Sequence, residues 1–264
     1  MKKLATVFVL AAMLFMGSQA VAQSTRGALF LGGSFPIGDY GKFNENFSNF
    51  ALTSTEASDD LAGAGIGFNV GMKWCFNVGL EGLGVMLSAD GIYNGPNPDL
   101  KTAYRDMENS YNGLISDGSF TLNATPKYIH VPVMAGLNYI CHFNPNFGVY
   151  IEAGAGCNMR ILTKKESVST ASLLGGIQEQ ITSTQSYDMG FSFAYQVGTG
   201  IEVAKNLVIG CSFYDLGKAQ VKGEEVVVTK TTIGESTTTN TDKDYHSFGT
   251  MHPYIIMARI GFSF

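Results

Sequence analysis

Apolar residues recur at every second position along much of this chain, and this alternation constrains the fold more than any other feature of the sequence. Segment 61–74 shows it most clearly, because one face carries Ala62, Ala64, Ile66, Phe68, Val70, Met72 and Trp74. A period of two predicts β-strands with one apolar face. The other strand signals lie at 26–35, 78–91, 127–142, 147–161, 188–204 and 207–218, and after residue 250. We therefore predict eight strands.

Long and very short connections alternate between these predicted strands. The first long connection follows the first strand, and the other three occupy 93–126, 162–187 and 219–250. A short helix is predicted around Asp99 to Asn112 within the second long connection. The short turns lie near Cys75 to Asn77, at Asn144-Pro145-Asn146 and at Lys205-Asn206. This asymmetry and an even strand number are typical of bacterial membrane barrels, with short turns in the periplasm. The pattern predicts an all-β fold, an eight-stranded antiparallel transmembrane up-and-down β-barrel.

Two of the long connections contain hairpin signals of their own. Ser/Thr-rich stretches flank Gly175-Gly176, and threonines flank Gly234 in the same way. Such signals predict hairpins that project past the bilayer. If one of them joined the wall, the barrel would have ten strands.

The composition favours a membrane as solvent. Only 15% of the residues are charged, against about 25% in ordinary soluble domains. After residue 22, no apolar run is long enough for a membrane helix, so the chain must span as a closed barrel of strands. Glycine, serine, asparagine and glutamine dominate the second strand face, as suits the narrow lumen of an eight-stranded barrel.

The amino terminus predicts export. Lys2 and Lys3 precede an apolar run from Leu4 to Met16 and the small-residue site Ala20-Val21-Ala22, the pattern of a secretory signal peptide. We expect residues 1–22 to be this signal peptide and residues 23–264 to be the barrel domain. At the other end, the period-two pattern closes on Phe264.

Two motifs carry a resemblance to a known family. The strand Tyr128-Ile129-His130-Val131-Pro132-Val133 and the carboxy-terminal strand ending in Phe264 resemble those of porin-family outer-membrane β-barrel proteins, in the size class of OmpA and OmpX. The resemblance implies location in the outer membrane, contact with its lipid and lipopolysaccharide, and recognition of the Phe264 strand by the barrel assembly machinery.

Isolated charges on the inner face predict a lumenal network. Its expected members are Lys73, Glu81, Glu152, Glu202 and Arg259. Buried charges need partners, because an unpaired one costs several kcal/mol. The network has two interpretations, an ion path with a gate or a plug that fills the lumen, and the plug is favoured.

The sequence does not favour catalysis. The four histidines, His130, His142, His246 and His252, lack the His-x-Ser arrangement expected of a deacylase-type barrel. No phosphate-binding glycine loop or metal motif occurs, so we expect no cofactor and no metal. The spacing of the four cysteines is irregular, and free thiols are favoured over two disulfides.

Two functions remain open at this point. The first is a structural or surface-interaction barrel that meets an extracellular ligand through its loops. The alternative is a small porin or channel for small solutes or hydrophobic molecules. The net charge of −5 falls mainly in the long connections, which argues against a nucleic-acid partner.

Overall fold

The structure is a computed structural model of the chain. It describes residues 25–42, 63–99, 118–173, 176–204 and 206–264, together with positions 102, 105, 106, 109 and 112. The predicted signal peptide, residues 1–22, lies outside the described residues, as does most of the first long connection. The described parts contain thirteen strands, β1 to β13, and the four-residue helix α1 (Gly38–Gly41).

Eight strands close a barrel in which every neighbouring pair is antiparallel. They are β1 (Thr25–Ile37), β2 (Ala64–Asn77), β3 (Leu83–Pro96), β5 (Tyr128–Asn144), β6 (Phe147–Leu162), β9 (Gly190–Val203), β10 (Leu207–Asp215) and β13 (Tyr254–Ser263). The first and last of them pair with each other, with Leu29 opposite Phe262. The predicted eight-stranded up-and-down barrel is confirmed.

The two faces of the barrel wall differ as the alternation predicts. Large apolar side chains point outward, and Leu31, Phe68 and Phe193 are 60%, 54% and 70% exposed. Polar side chains such as Asn69 and Lys73 point inward and are buried. A soluble protein rarely exposes so continuous an apolar belt, so the wall requires apolar surroundings.

Five further strands form a separate sheet, which we call the polar sheet. It consists of β4 (Gly118–Ala124), β7 (Lys165–Leu173), β8 (Ile177–Tyr187), β11 (Ala219–Ile233) and β12 (Ser236–Met251). Their order in the sheet is β12-β11-β8-β7-β4. The predicted hairpins are confirmed, with Gly176 and Gly234 at positive φ where the chain reverses. They do not join the wall, so the barrel has eight strands and not ten.

The largest boundary error concerns the first short turn. It was predicted near Cys75 to Asn77, but β2 continues to Asn77, which pairs with Gly84. The chain reverses at 78–82 instead, because Gly79 and Gly82 supply positive φ angles of 86° and 77°. The third strand consequently runs from Leu83 to Pro96 and not over 78–91.

Helical structure is limited in the described part of the chain. The described positions between 98 and 112 are helical, in agreement with the helix predicted around Asp99 to Asn112. None of the helices in the described ranges is long and apolar enough to cross a membrane.

Candidate functional site: the barrel lumen and the polar sheet

Four charged side chains from four different strands meet in the lumen. Arg259 on β13 lies between two carboxylates, with Nη2 3.1 Å from Glu152 Oε1 and Nη1 3.2 Å from Asp90 Oδ1. Lys73 Nζ lies 2.6 Å from the other oxygen of Glu152. All four residues are at most 8% exposed. Two cations thus balance two anions, which meets the requirement that buried charges be paired.

Aromatic side chains complete this lumenal network. The Tyr214 hydroxyl donates a hydrogen bond of 2.8 Å to Asp90 Oδ2. The ring of Phe30 lies 5.2 Å from Lys73 Nζ and 4.9 Å from Arg259 Cζ, within the range of cation–π attraction. The network therefore ties opposite walls of the barrel together across its axis.

The sequence identified three members of this network and missed one. Lys73, Glu152 and Arg259 are brought together as the alternation suggested. Asp90 was missed because β3 alternates poorly: its inward positions include the apolar residues Met86 and Ile92. Polar residues at alternate positions of β3, Ser88, Asp90 and Asn94, are the signal that could have pointed to it.

The other two predicted charges lie elsewhere. Glu202 is buried, but its partner is Arg26 near the short-turn end of the barrel. Glu81 does not face the lumen: it is exposed in the turn 78–82. That prediction is wrong because the turn begins three residues later than expected and takes Glu81 out of the wall.

Apolar packing fills the lumen on the long-connection side of the network. The buried cluster there includes Tyr40, Ile92, Tyr128, Met134, Tyr214, Leu216, Phe248, Met251, Ile255 and Met257. Each of these side chains is at most 2% exposed. Leu216 and Phe248 come from outside the barrel strands, so the connections themselves help to close the lumen. Helix α1 closes it further, since Tyr40 Oη lies 3.0 Å from His130 Nε2.

A cavity of about 420 Å³ occupies the short-turn side of the network. Phe30, Lys73 and Tyr150 line its inner end, and Asn77 and Leu83 line it near the turns. The cavity therefore ends at the lumenal network. Ions entering it would meet paired charges and then the apolar cluster.

Arg160 links the barrel to the polar sheet. Its guanidinium donates to the carbonyl oxygens of Ala219 and Gln220, at 3.3 and 2.7 Å, at the start of β11. The guanidinium thus holds the base of the polar sheet over the mouth of the lumen.

Comparison with known proteins identifies the family. Residues 8–249 match the family described as outer membrane protein beta-barrel domain. The chain belongs to this family. The apolar belt of the barrel accordingly faces membrane lipid. None of the curated proteins has a sequence significantly similar to that of the chain.

Solved outer-membrane barrels are similar in fold at low sequence identity. Ail, the attachment invasion locus protein of Yersinia pestis, in complex with the heparin analogue sucrose octasulfate, is 13% identical, with 92% of this chain and 100% of that chain covered and a TM-score of 0.36. OprG from Pseudomonas aeruginosa is 11% identical, with 92% and 97% covered and a TM-score of 0.38. A major outer membrane protein from Thermus thermophilus is 12% identical, with 92% and 99% covered and a TM-score of 0.39. The family assignment rests on the sequence match over most of the chain.

The polar sheet of this barrel contains a partly buried polar cluster. Glu225 accepts hydrogen bonds from Ser183 at 2.8 Å and from Gln185 at 3.1 Å. Tyr187 donates to Gln185 at 3.2 Å. Burial lowers the pKa of Lys165 to about 8, although the nearby carboxylate of Glu225 opposes this shift. These contacts join β7, β8 and β11 near the base of the sheet.

Two histidines lie against polar or aromatic side chains, and the cysteines are not joined in disulfides. His252 lies 2.8 Å from Asp215 and 3.2 Å from the Tyr254 hydroxyl at the barrel rim, and His246 packs on Phe248. All four cysteines are free thiols. Among the described residues no cluster of three or more His, Cys, Asp or Glu side chains could hold a metal ion.

Proposed function

We propose that this chain is a closed, non-catalytic outer-membrane barrel that displays the polar sheet at the cell surface for contact with other molecules. The filled lumen carries the proposal. Across the middle of the barrel, Tyr214, Met257 and Arg259 are at most 5% exposed, and their contacts cross from wall to wall. A lumen packed in this way supports stability and not transport.

The orientation follows from the connections. In bacterial barrels the short turns lie in the periplasm and the longer connections outside. The cavity of about 420 Å³ would then open to the periplasm, and the polar sheet would stand outside the cell. This arrangement leaves the polar sheet as the largest surface available to extracellular partners.

Conductance in planar bilayers tests the closed lumen. We expect the refolded chain to give no stable openings, because paired charges and apolar packing block the path. The variants Glu152→Gln and Arg259→Gln are measured alongside it. Stable openings in the wild-type protein, with an ion selectivity that changes in these variants, would instead support a small channel.

Protease cleavage on intact cells tests the display of the sheet. A cleavage site inserted between Gly234 and Glu235 at the β11–β12 tip is expected to be cut, whereas the same site in the turn at Pro145 and Asn146 is expected to be protected. Cleavage at the second site but not the first would reverse the orientation and refute the proposal.

The remaining parts of the proposal concern biogenesis and the membrane. We infer that residues 1–22 direct export, that the barrel assembly machinery recognises the β13 strand ending in Phe264, and that the barrel contacts outer-membrane lipid and lipopolysaccharide. Phe264 is 64% exposed and ends the strand that closes the barrel. Its position at the closing seam supports a role in assembly, and reduced outer-membrane insertion of Phe264→Ala would test it.

A further inference from the structure

One edge of the polar sheet is formed by β12. This strand pairs with β11 along its length, and within the described part of the chain no strand pairs with its other side. Its first ten residues, 236–245, are exposed. A row of unpaired backbone N–H and C=O groups is a template for pairing with another strand.

The tip of this edge lacks the features that usually block such pairing. Residues 236–241 read Ser-Thr-Thr-Thr-Asn-Thr, without proline, charge or a register shift. Short β-branched segments of low charge are prone to strand addition. Within β12, charged residues begin only at Asp242, closer to the barrel.

The symmetry of strand pairing limits how a second copy of this chain could bind. Two identical strands can pair reciprocally when antiparallel, about a two-fold axis perpendicular to them. Two identical strands cannot pair reciprocally when parallel, because the slanted hydrogen bonds of a parallel ladder are not related by a two-fold axis along the strands. Two copies in one membrane have parallel barrels, so symmetric pairing of β12 with β12 requires copies on opposite membranes. We propose that the β12 edge binds the β12 edge of a second copy of this chain on a facing membrane.

Side-chain charge selects the register. Opposite residues must lie on the same face of the joined sheet, so their numbers differ by an even amount. With Thr239 opposite Thr239, residues 236–242 of each copy pair, and Lys243 of each copy lies opposite Glu235 of the other. This register places opposite charges together at both ends and no like charges in contact.

The geometry also limits the distance between the membranes. Twelve residues separate Thr239 from Met251 at the base of β12. At about 3.4 Å per residue, the two barrel rims can be at most about 80 Å apart. Non-specific aggregation would not impose this limit.

Clustering of proteoliposomes that carry the mature chain tests this pairing. We expect wild-type vesicles to cluster, as measured by dynamic light scattering, with membrane gaps of at most about 80 Å in electron cryo-micrographs. Thr239→Lys should abolish clustering, because two lysines would lie directly opposite each other. The control is Thr121→Lys, an exposed position on the same face of the sheet at its opposite edge, which should cluster like the wild type.

A charge exchange tests the register. Vesicles with Lys243→Glu and vesicles with Glu235→Lys should each cluster less than the wild type, because like charges then meet. A mixture of the two should cluster at the wild-type level, because opposite charges are restored at both ends. Failure of the mixture to recover overturns the register.

The inference rests on the proposed function, and the two can fail separately. Wild-type vesicles that remain dispersed, or Thr239→Lys vesicles that cluster fully, overturn the self-pairing. If the tip is still cleaved on intact cells, display of the polar sheet survives this result. Circular dichroism of each variant confirms that the barrel is folded.

Discussion

Neutralising Glu152 is the most informative perturbation of the lumenal network. Glu152→Gln keeps the size of the side chain but removes the charge that Lys73 and Arg259 share. Arg259 retains Asp90 at 3.2 Å, whereas Lys73 loses the ion-pair partner that the structure shows for it. The side chain of Lys73 is only 10% exposed. Stranding such a charge costs about 3–5 kcal/mol, and we expect this loss in the free energy of unfolding.

Urea unfolding in detergent micelles or lipid vesicles measures this loss. The single tryptophan of the chain, Trp74, follows Lys73 on β2 and provides the fluorescence signal. The matched control is Glu166→Gln, because the pair of Glu166 with Lys164 is at 2.7 Å but the lysine is 59% exposed. Solvent-exposed ion pairs contribute little to stability, so the control should unfold nearly like the wild type.

A double variant separates a stranded charge from a simple loss of packing. In Glu152→Gln with Lys73→Met, no unpaired ammonium remains, so we expect part of the lost stability to return. The coupling between the two changes should therefore be favourable. A loss below about 1 kcal/mol for Glu152→Gln, or a double variant in which the two losses simply add, would refute the reasoning.

Three other measurements follow from the structure. Burial lowers the pKa of Lys165 in the folded chain to about 8, so between about pH 8 and 10.5 the unfolded chain binds a proton that the folded chain does not. The free energy of unfolding should therefore rise by up to about 3 kcal/mol as the pH rises over this range. Lys165→Met should remove this rise in urea unfolding. Gly156→Ala should lower the free energy of unfolding by about 1–3 kcal/mol, because the added Cβ would lie 2.0 Å from the Val133 carbonyl oxygen. The control Gly95→Ala should cause no such loss, because a Cβ there would have nothing within 4 Å. Equal losses in the two variants would contradict this reasoning. Mass spectrometry after thiol labelling of the unfolded chain without reductant should find four free thiols, and a product with fewer labels would indicate a disulfide.

Much of the barrel could be predicted from the sequence because the wall separates two chemically different phases. Residues such as Phe68 and Lys73 lie on opposite faces of β2, and the period of two records this directly. The hairpin at Gly234 was also predictable, because a glycine between two threonine-rich strand signals is typical of a tight turn. The positive φ of Gly234 in the structure agrees with this turn. The assembly of the hairpins into one sheet was not predictable, because long-range strand pairing leaves no local signal.

The lumenal network was only partly predictable. A charge in an alternating strand could be assigned to a face, which located Lys73, Glu152 and Arg259. Glu81 was misassigned because the position of a turn depends on which glycines adopt positive φ, and Gly79 and Gly82 moved it. An error of a few residues in the position of a turn therefore changes whether a residue at the end of a strand is assigned to the lumen or to solvent. Residues in the middle of a strand keep their assignment.

Closure of the lumen depends on residues that alternation cannot assign. Leu216 lies at the end of the predicted strand 207–218 and Phe248 lies in the predicted connection 219–250, yet both are buried in the barrel. Met134 and Met257 are apolar residues on the inward face, and an apolar residue in a strand gives no indication of which apolar environment it meets. An apolar lumen and a lipid belt use the same amino acids, and only pairing geometry distinguishes them. Because these residues pack against one another and against the paired charges, the proposed function assigns stability to the lumen and recognition to the exposed strands of the polar sheet.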